Sequence, residues 1–169
     1  MVIPDTITNI ESSSFYNCNK LININIPSNV INIGDNAFEY CSNLVSIILP
    51  DGITSINDAV FDGCSKLTSI NIPINVTSIG TAAFRSCSSL TSITIPNNVT
   101  RIYSEAFNGC NNLSNIVSLT TTAPMIEKRT FQSIKTDGTL TVPAGSNYNL
   151  WMSTGDYYLG KYNWTKVEQ

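Results

Sequence analysis

The residue types that could carry chemistry are few in this chain, and they recur at a fixed spacing. The 169 residues include no histidine, which excludes a Ser-His-Asp triad, a Cys-His pair and a His-ligated metal. Even spacing indicates that the cysteines occupy one position of a repeated unit. If such units stack, their side chains point in parallel and not toward each other, so the cysteines predict a ladder of buried thiols and not disulfides. No Cys-x₂₋₄-Cys pair exists, so no zinc site is expected. The five cysteines, always 23 residues apart, are Cys18, Cys41, Cys64, Cys87 and Cys110.

Four carboxylates are also spaced for shared chemistry. Asp35 and Asp58 occupy one repeat position, and Glu39 and Asp62 occupy another four residues later. On neighbouring turns of chain they could form a Ca²⁺ site, because carboxylate oxygens are the ligands that Ca²⁺ takes. The other interpretation is a solvated acidic surface, eased by Arg85 one repeat after Asp62. A glycosidase pair needs a cleft and an apolar pocket, which a regular ladder lacks, so we expect no catalytic residue and no cofactor.

The same 23-residue step organises most of the chain. The unit reads P-x-x-[IV]-x-x-I-x-x-x-[AV]-F-x-x-C-x-x-L-x-x-I-x-[IL], with Ser14 at the small-residue position of the first copy. We divide the chain into five repeats (1–118), a degenerate sixth (119–142) and a C-terminal cap (143–169), all in one domain. Three of the regular columns are Pro4, Pro27, Pro50, Pro73 and Pro96; Phe15, Phe38, Phe61, Phe84 and Phe107; and Leu21, Leu44, Leu67, Leu90 and Leu113.

This repeat length selects the architecture. Twenty-three residues are too few for a pair of helices. The pattern Leu-x-x-Ile-x-Ile-Pro alternates as a strand does, and Pro ends it because Pro cannot continue a ladder. Residues 29–34 are predicted to be a second extended stretch, and 36–41 a single helical turn. The predicted fold is therefore a solenoid of right-handed stacked coils, with a parallel sheet on the concave face and short extended and helical-turn segments on the convex face.

The outward side chains of the concave strands are the candidate binding residues, since stacked repeats usually bind there. The set is small, neutral and mostly polar, and it lacks the Trp, Tyr and Arg anchors of tight interfaces. It is consistent with a wide, weak, multivalent contact surface or with a merely soluble face. The set comprises Asn23, Asn25, Ser46, Ile48, Ser69, Asn71, Ser92, Thr94, Asn115 and Val117.

The composition limits the classes of partner that the chain can bind. With 9 Lys+Arg against 12 Asp+Glu and no basic block, the chain is not suited to nucleic acid. No apolar run is long enough to span a membrane. Asn, Ser and Thr fill 59 of the 169 positions and suit the corners between strands.

The two ends of the sequence differ. Met1 to Pro4 fill the positions of Ile24 to Pro27, which predicts that the native protein has further repeats upstream. A cluster of aromatic residues near the other end is expected to close the core, although stacking on sugar rings is the alternative. That cluster comprises Tyr148, Trp151, Tyr157, Tyr158, Tyr162 and Trp164.

The pattern F-x-x-C-x-x-L followed by I-x-I-P, as from Phe61 to Pro73, resembles the BspA-like leucine-rich repeat family over residues 1–142. The resemblance implies a curved parallel solenoid without catalysis, displayed extracellularly on the cell surface of Bacteroides-type bacteria. Related repeats also occur on parasitic protists. From this resemblance we expect a monomeric, non-enzymatic adhesion protein whose ligand is a host matrix or microbial surface protein. The alternative is a structural spacer within a larger surface protein.

Overall fold

The strands of the chain alternate between two parallel ladders. The structure is a computed structural model that describes residues 3–169. The concave ladder contains β2 (Asn23–Asn25), β4 (Ser46–Ile48), β6 (Ser69–Asn71), β8 (Ser92–Ile95), β10 (Asn115–Ser118), β12 (Thr139–Val142) and β13 (Thr165–Glu168). The second ladder contains β1 (Asn9–Ile10), β3 (Asn32–Ile33), β5 (Ser55–Ile56), β7 (Ser78–Ile79), β9 (Arg101–Ile102) and β11 (Met125–Ile126). The predicted parallel solenoid is therefore confirmed.

Hydrogen-bonded pairing is interrupted once in each ladder. In the concave ladder, β6 and β8 lie side by side without pairing, which leaves a three-stranded and a four-stranded sheet. In the second ladder, β1 pairs with β3, and β5, β7, β9 and β11 form a separate sheet. Asn57 spans that second interruption, because its side-chain Nδ2 donates to the backbone oxygen of Ile33 at 2.7 Å.

The core consists of columns of identical side chains. Each phenylalanine ring stacks almost parallel on the ring one coil away, with centroids 5.1 Å apart for Phe15 and Phe38 and 5.9 Å apart for Phe107 and Phe131. Ile47 pairs in register with Ile24 on one side and Ile70 on the other. The 23-residue step of the sequence is thus one turn of the solenoid, and burial of each column stabilises the stack.

The convex segment differs from the predicted helical turn. Asn36 and Tyr40 have positive φ angles of 60° and 58°, and the segment between them is a series of tight turns. Their backbone N–H groups donate to the backbone oxygens of Asp58 and Asp62 in the next coil, at 2.9 Å and 2.7 Å. A helical turn would direct these donors back along its own segment. The left-handed residues redirect them, so the convex side also contributes hydrogen bonds between coils.

The C-terminal segment packs against the last coil, with Tyr157, Tyr158 and Tyr162 of the predicted aromatic cluster only half-buried. Trp151 is fully buried, with its ring 5.2 Å from that of Phe131, and its Nε1 donates to the oxygen of Pro124 at 3.0 Å. Tyr148 and Trp164 are also buried. After a short 3₁₀ helix (Leu159–Tyr162), β13 pairs with β12 as a further parallel strand.

At the opposite end, Phe15 and Leu21 of the first described coil are only half-buried. Met1 and Val2, which the repeat predicts to occupy strand positions, lie outside the described residues. No helix within residues 3–169 combines the length and the hydropathy needed to cross a membrane.

Candidate binding surface

The alternation of each concave strand produces the candidate surface. In β2, β4 and β6 the middle isoleucine is buried and both neighbours are exposed. Ile48 lies in register between Asn25 and Asn71, so residues far apart in sequence form one surface. Nine of the ten predicted residues are exposed, and Val117 is half-buried.

The sequence analysis missed one column of this surface. Ile22 and Val45 directly follow the inward leucine and are 57% and 37% exposed. The pattern Leu-x-x-Ile indicates this column, because it places two outward residues before the buried isoleucine and the predicted set includes only the second. Thr68 and Thr91 continue the column as exposed residues.

Asparagine has two different roles in the structure. At four corners, a side-chain amide donates to a backbone oxygen of the preceding coil and links the two coils. On the concave face, the amides of Asn25 and Asn71 make no side-chain hydrogen bond within residues 3–169. These exposed amides can hydrogen-bond to water or to a bound molecule. The corner bonds are Asn29 to Ile7 (3.0 Å), Asn75 to Asp51 (2.9 Å), Asn98 to Ile74 (2.9 Å) and Asn112 to Ser88 (2.7 Å).

Three of the four candidate calcium ligands bind donors of the protein itself. The Oδ1 of Asp35 accepts from the backbone N–H of Asp58 at 3.2 Å, and the Oδ1 of Asp58 accepts from that of Thr81 at 2.6 Å. Glu39 accepts from the Nδ2 of Asn36 at 2.6 Å. Residues 3–169 contain no group of three or more Asp, Glu, Cys or His side chains suited to hold a metal ion. The geometry therefore gives the calcium interpretation no support.

The fourth carboxylate, Asp62, belongs to an ion-pair network. It is buried and accepts from the guanidinium of Arg85 at 2.5 Å, and Arg85 also contacts Glu105 at 3.1 Å. Arg129 contacts the other oxygen of Glu105 at 3.3 Å. Hydrogen bonding to Asp62 raises the pKa of Arg85, and hydrogen bonding to Arg85 lowers the pKa of Glu105. This network connects successive convex segments and neutralises part of the acidic surface.

The cysteine column is buried in four of its five members. Each buried thiol donates to the phenylalanine carbonyl of the preceding coil, as Cys41 does to Phe15 at 3.1 Å and Cys110 to Phe84 at 3.1 Å. Burial raises the pKa of Cys41 to about 11 and that of Cys110 to about 12, so both stay protonated at neutral pH. Cys18, in the first described coil, is exposed, so the buried ladder within residues 3–169 consists of the four later cysteines.

These ladders and the motif that produces them match a known family. Residues 1–114 match the model of the BspA type leucine-rich repeat region (6 copies). The chain belongs to this family. BspA-type repeats and their solenoid are generally non-enzymatic and are suited to protein–protein interaction. No curated protein is similar enough in sequence to count as a match.

Solved bacterial structures share the fold. A leucine-rich repeat protein from Bacteroides ovatus is 30% identical, with a TM-score of 0.75 over 96% of this chain and 41% of that chain. A leucine rich cell surface protein from Faecalibacterium prausnitzii is 38% identical, with a TM-score of 0.68 over 70% of this chain and 31% of that chain. The T. pallidum leucine-rich repeat protein is 28% identical, with a TM-score of 0.64 over 75% and 72%. The BspA-type chain thus spans less than half the length of the first two.

Proposed function

We propose that this chain is an extracellular interaction module that binds a protein partner through its concave face. The observation that carries the proposal is the in-register column of exposed side chains on the concave face, in which Asn25, Ile48 and Asn71 lie on adjacent strands and the two amides make no side-chain hydrogen bond within residues 3–169. Exposed amides offer a donor and an acceptor together, which suits a polypeptide partner. The similarity to a cell surface protein of F. prausnitzii supports display outside the cell.

Direct binding measurements test this proposal. The chain would be immobilised and exposed to a panel of purified mammalian extracellular-matrix proteins and to surface-protein extracts of co-resident bacteria. We expect saturable binding to at least one component, weakened about tenfold or more by Asn71→Arg, because a bulky charge on the face must be desolvated without a counter-charge.

A matched control comes from the corner after β8. Asn97→Arg adds the same side chain at an exposed asparagine outside the concave face, and it should leave binding unchanged. Loss of binding with Asn97→Arg but not with Asn71→Arg would contradict the concave-face assignment. Protease treatment of intact producing cells tests the display: the chain should be removed, and survival of the chain would contradict a surface location.

A structural spacer is the second candidate. Its support is that none of the ten predicted contact residues is Trp, Tyr or Arg, the usual energetic anchors of an interface. Adhesion of cells that display the whole native protein would be compared with adhesion of cells that display this chain alone. Equal adhesion rejects the spacer, whereas adhesion that needs the rest of the protein rejects binding by this chain.

A further inference from the structure

Three exposed aliphatic side chains lie on or beside the first two strands of the concave ladder. Ile22 and Val45 lie on adjacent strands, joined by the bond from the Val45 N–H to the Ile22 oxygen at 2.9 Å. Ile48, further along the Val45 strand, is 76% exposed. We call these three residues the aliphatic patch. Each of these three side chains retains apolar surface that a partner could bury.

Two amides flank the most exposed member of this patch. Asn25 and Asn71 lie in register on either side of Ile48. Two strand spacings separate equivalent atoms of these two residues by about 10 Å, which matches about three residues of extended polypeptide. A shallow depression of ≈ 430 Å³ lies over β2 and β4, next to the patch. The geometry is suited to a single extended chain that crosses the strands.

The outward positions of the concave strands are uncharged, and this limits which polypeptide segment can bind there. The outward positions of β2, β4, β6, β8 and β10 contain only Asn, Ser, Thr, Ile and Val. A charged group buried against such a face loses its hydration and gains no counter-charge. The face therefore disfavours acidic and basic segments equally, and it does not attract partners over long range.

We propose that the occupant is an uncharged, extended polypeptide segment. It places an aliphatic side chain on Ile48, and its backbone groups hydrogen-bond to the amides of Asn25 and Asn71. This inference rests on the proposed function and adds to it the position of the contact and the class of partner. Binding by this route is independent of ionic strength, because no ion pair contributes to it.

A displayed library of random peptides of about twelve residues tests the inference without knowledge of the native ligand. Peptides selected on the immobilised chain should be enriched in uncharged sequences with aliphatic residues. Their dissociation constants should change by less than about twofold between about 50 mM and about 500 mM NaCl. Ile48→Arg should weaken them at least about tenfold. The control Ile74→Arg, at another exposed isoleucine outside the concave face, should leave them unchanged.

The outcomes separate this inference from the proposed function. Selected peptides that bind Ile48→Arg normally but lose affinity for Thr94→Arg would overturn the aliphatic patch and leave concave-face binding standing. Enrichment of charged, salt-sensitive peptides at the same face would overturn the uncharged partner. Peptides indifferent to Ile48→Arg, Asn71→Arg and Thr94→Arg alike would contradict the proposed function itself.

Discussion

The two ends of the described solenoid differ in how the core columns and the strand ladders terminate. At the C-terminal end, Trp151 and Trp164 cover the last coil. On the final strand, Lys166 and Glu168 stand in register with the buried Leu140 and Val142. At the N-terminal end of the described residues, β1 and β2 each pair on one side only. Within residues 3–169, aromatic side chains and a charged strand terminate the core columns at the C-terminal end, and neither feature occurs at the other end.

The charged final strand also protects the edge of the sheet. The Lys166 Nζ and the Glu168 Oε1 form an ion pair at 2.7 Å, at the positions that Leu140 and Val142 fill on β12. Inward charges on an edge strand hinder pairing with another chain. Hydrogen bonds from Lys166 and from the Gly145 N–H lower the pKa of Glu168. The carboxylate therefore stays ionised at neutral pH. The stability that its ion pair gives to the folded state is lost as the pH falls through that lowered pKa.

The largest expected effect comes from the covered end. Trp151→Ala removes a fully buried ring and the hydrogen bond to Pro124, and it should lower the free energy of unfolding by about 3–5 kcal/mol. Urea denaturation followed by circular dichroism measures this loss. Tyr16→Ala, at an exposed ring in the first described coil, is the control and should cost less than about 1 kcal/mol. Equal losses would contradict the difference between the ends.

The phenylalanine column measures the same difference within one residue type. Phe84 stacks on a ring on each side, at 5.5 Å and 5.4 Å. Within residues 3–169, Phe15 stacks on one ring, at 5.1 Å, and is half-buried. Phe84→Ala should cost about 3–5 kcal/mol and Phe15→Ala about half as much. The same urea titration provides the comparison. A loss at Phe15 as large as that at Phe84 would mean that another group covers the first coil in solution.

A smaller effect is expected where a single corner amide holds two coils together. Asn98→Ala removes the bond to the Ile74 oxygen and should cost about 0.5–1.5 kcal/mol in the same titration. Asn97→Ala, at the adjacent exposed residue, should change the unfolding free energy by less than about 0.5 kcal/mol. If the two variants were equal, the corner amide would not be a link between coils.

The smallest change in stability is expected at the charged edge, where oligomeric state is the informative measurement. The double variant Lys166→Ile with Glu168→Val restores the apolar columns on β13 and exposes an unprotected edge strand. Light scattering coupled to gel filtration should show a monomer for the native chain and dimers or larger species for the variant. A variant that remains monomeric would show that the ion pair does not protect this edge.

The ladders were predictable because each inward column repeats one residue type every 23 positions. The convex backbone was not, since Ala59 and Ala82 have positive φ angles although alanine gives no such signal. Gly63 and Gly109, which occupy the repeat position of Tyr40, have positive φ angles of 70° and 76° and are the residues that indicate this conformation. The two roles of asparagine could not be predicted from the sequence, for a different reason. The same side chain is a link between coils at Asn98 and a free amide at Asn71, and the coil geometry alone separates the two roles.

Thiol labelling tests the stacked, in-register architecture most directly. Cys18 is exposed, while the four later thiols are fully buried within the core columns. Burial raises the pKa of Cys41 to about 11 and that of Cys110 to about 12, so at a pH of about 8 these groups are protonated as well as inaccessible. Mass spectrometry of the native protein treated with iodoacetamide should find one labelled cysteine, Cys18, and five labels after denaturation. Rapid labelling of Cys64 or Cys87 in the native protein would contradict the stacking of the coils.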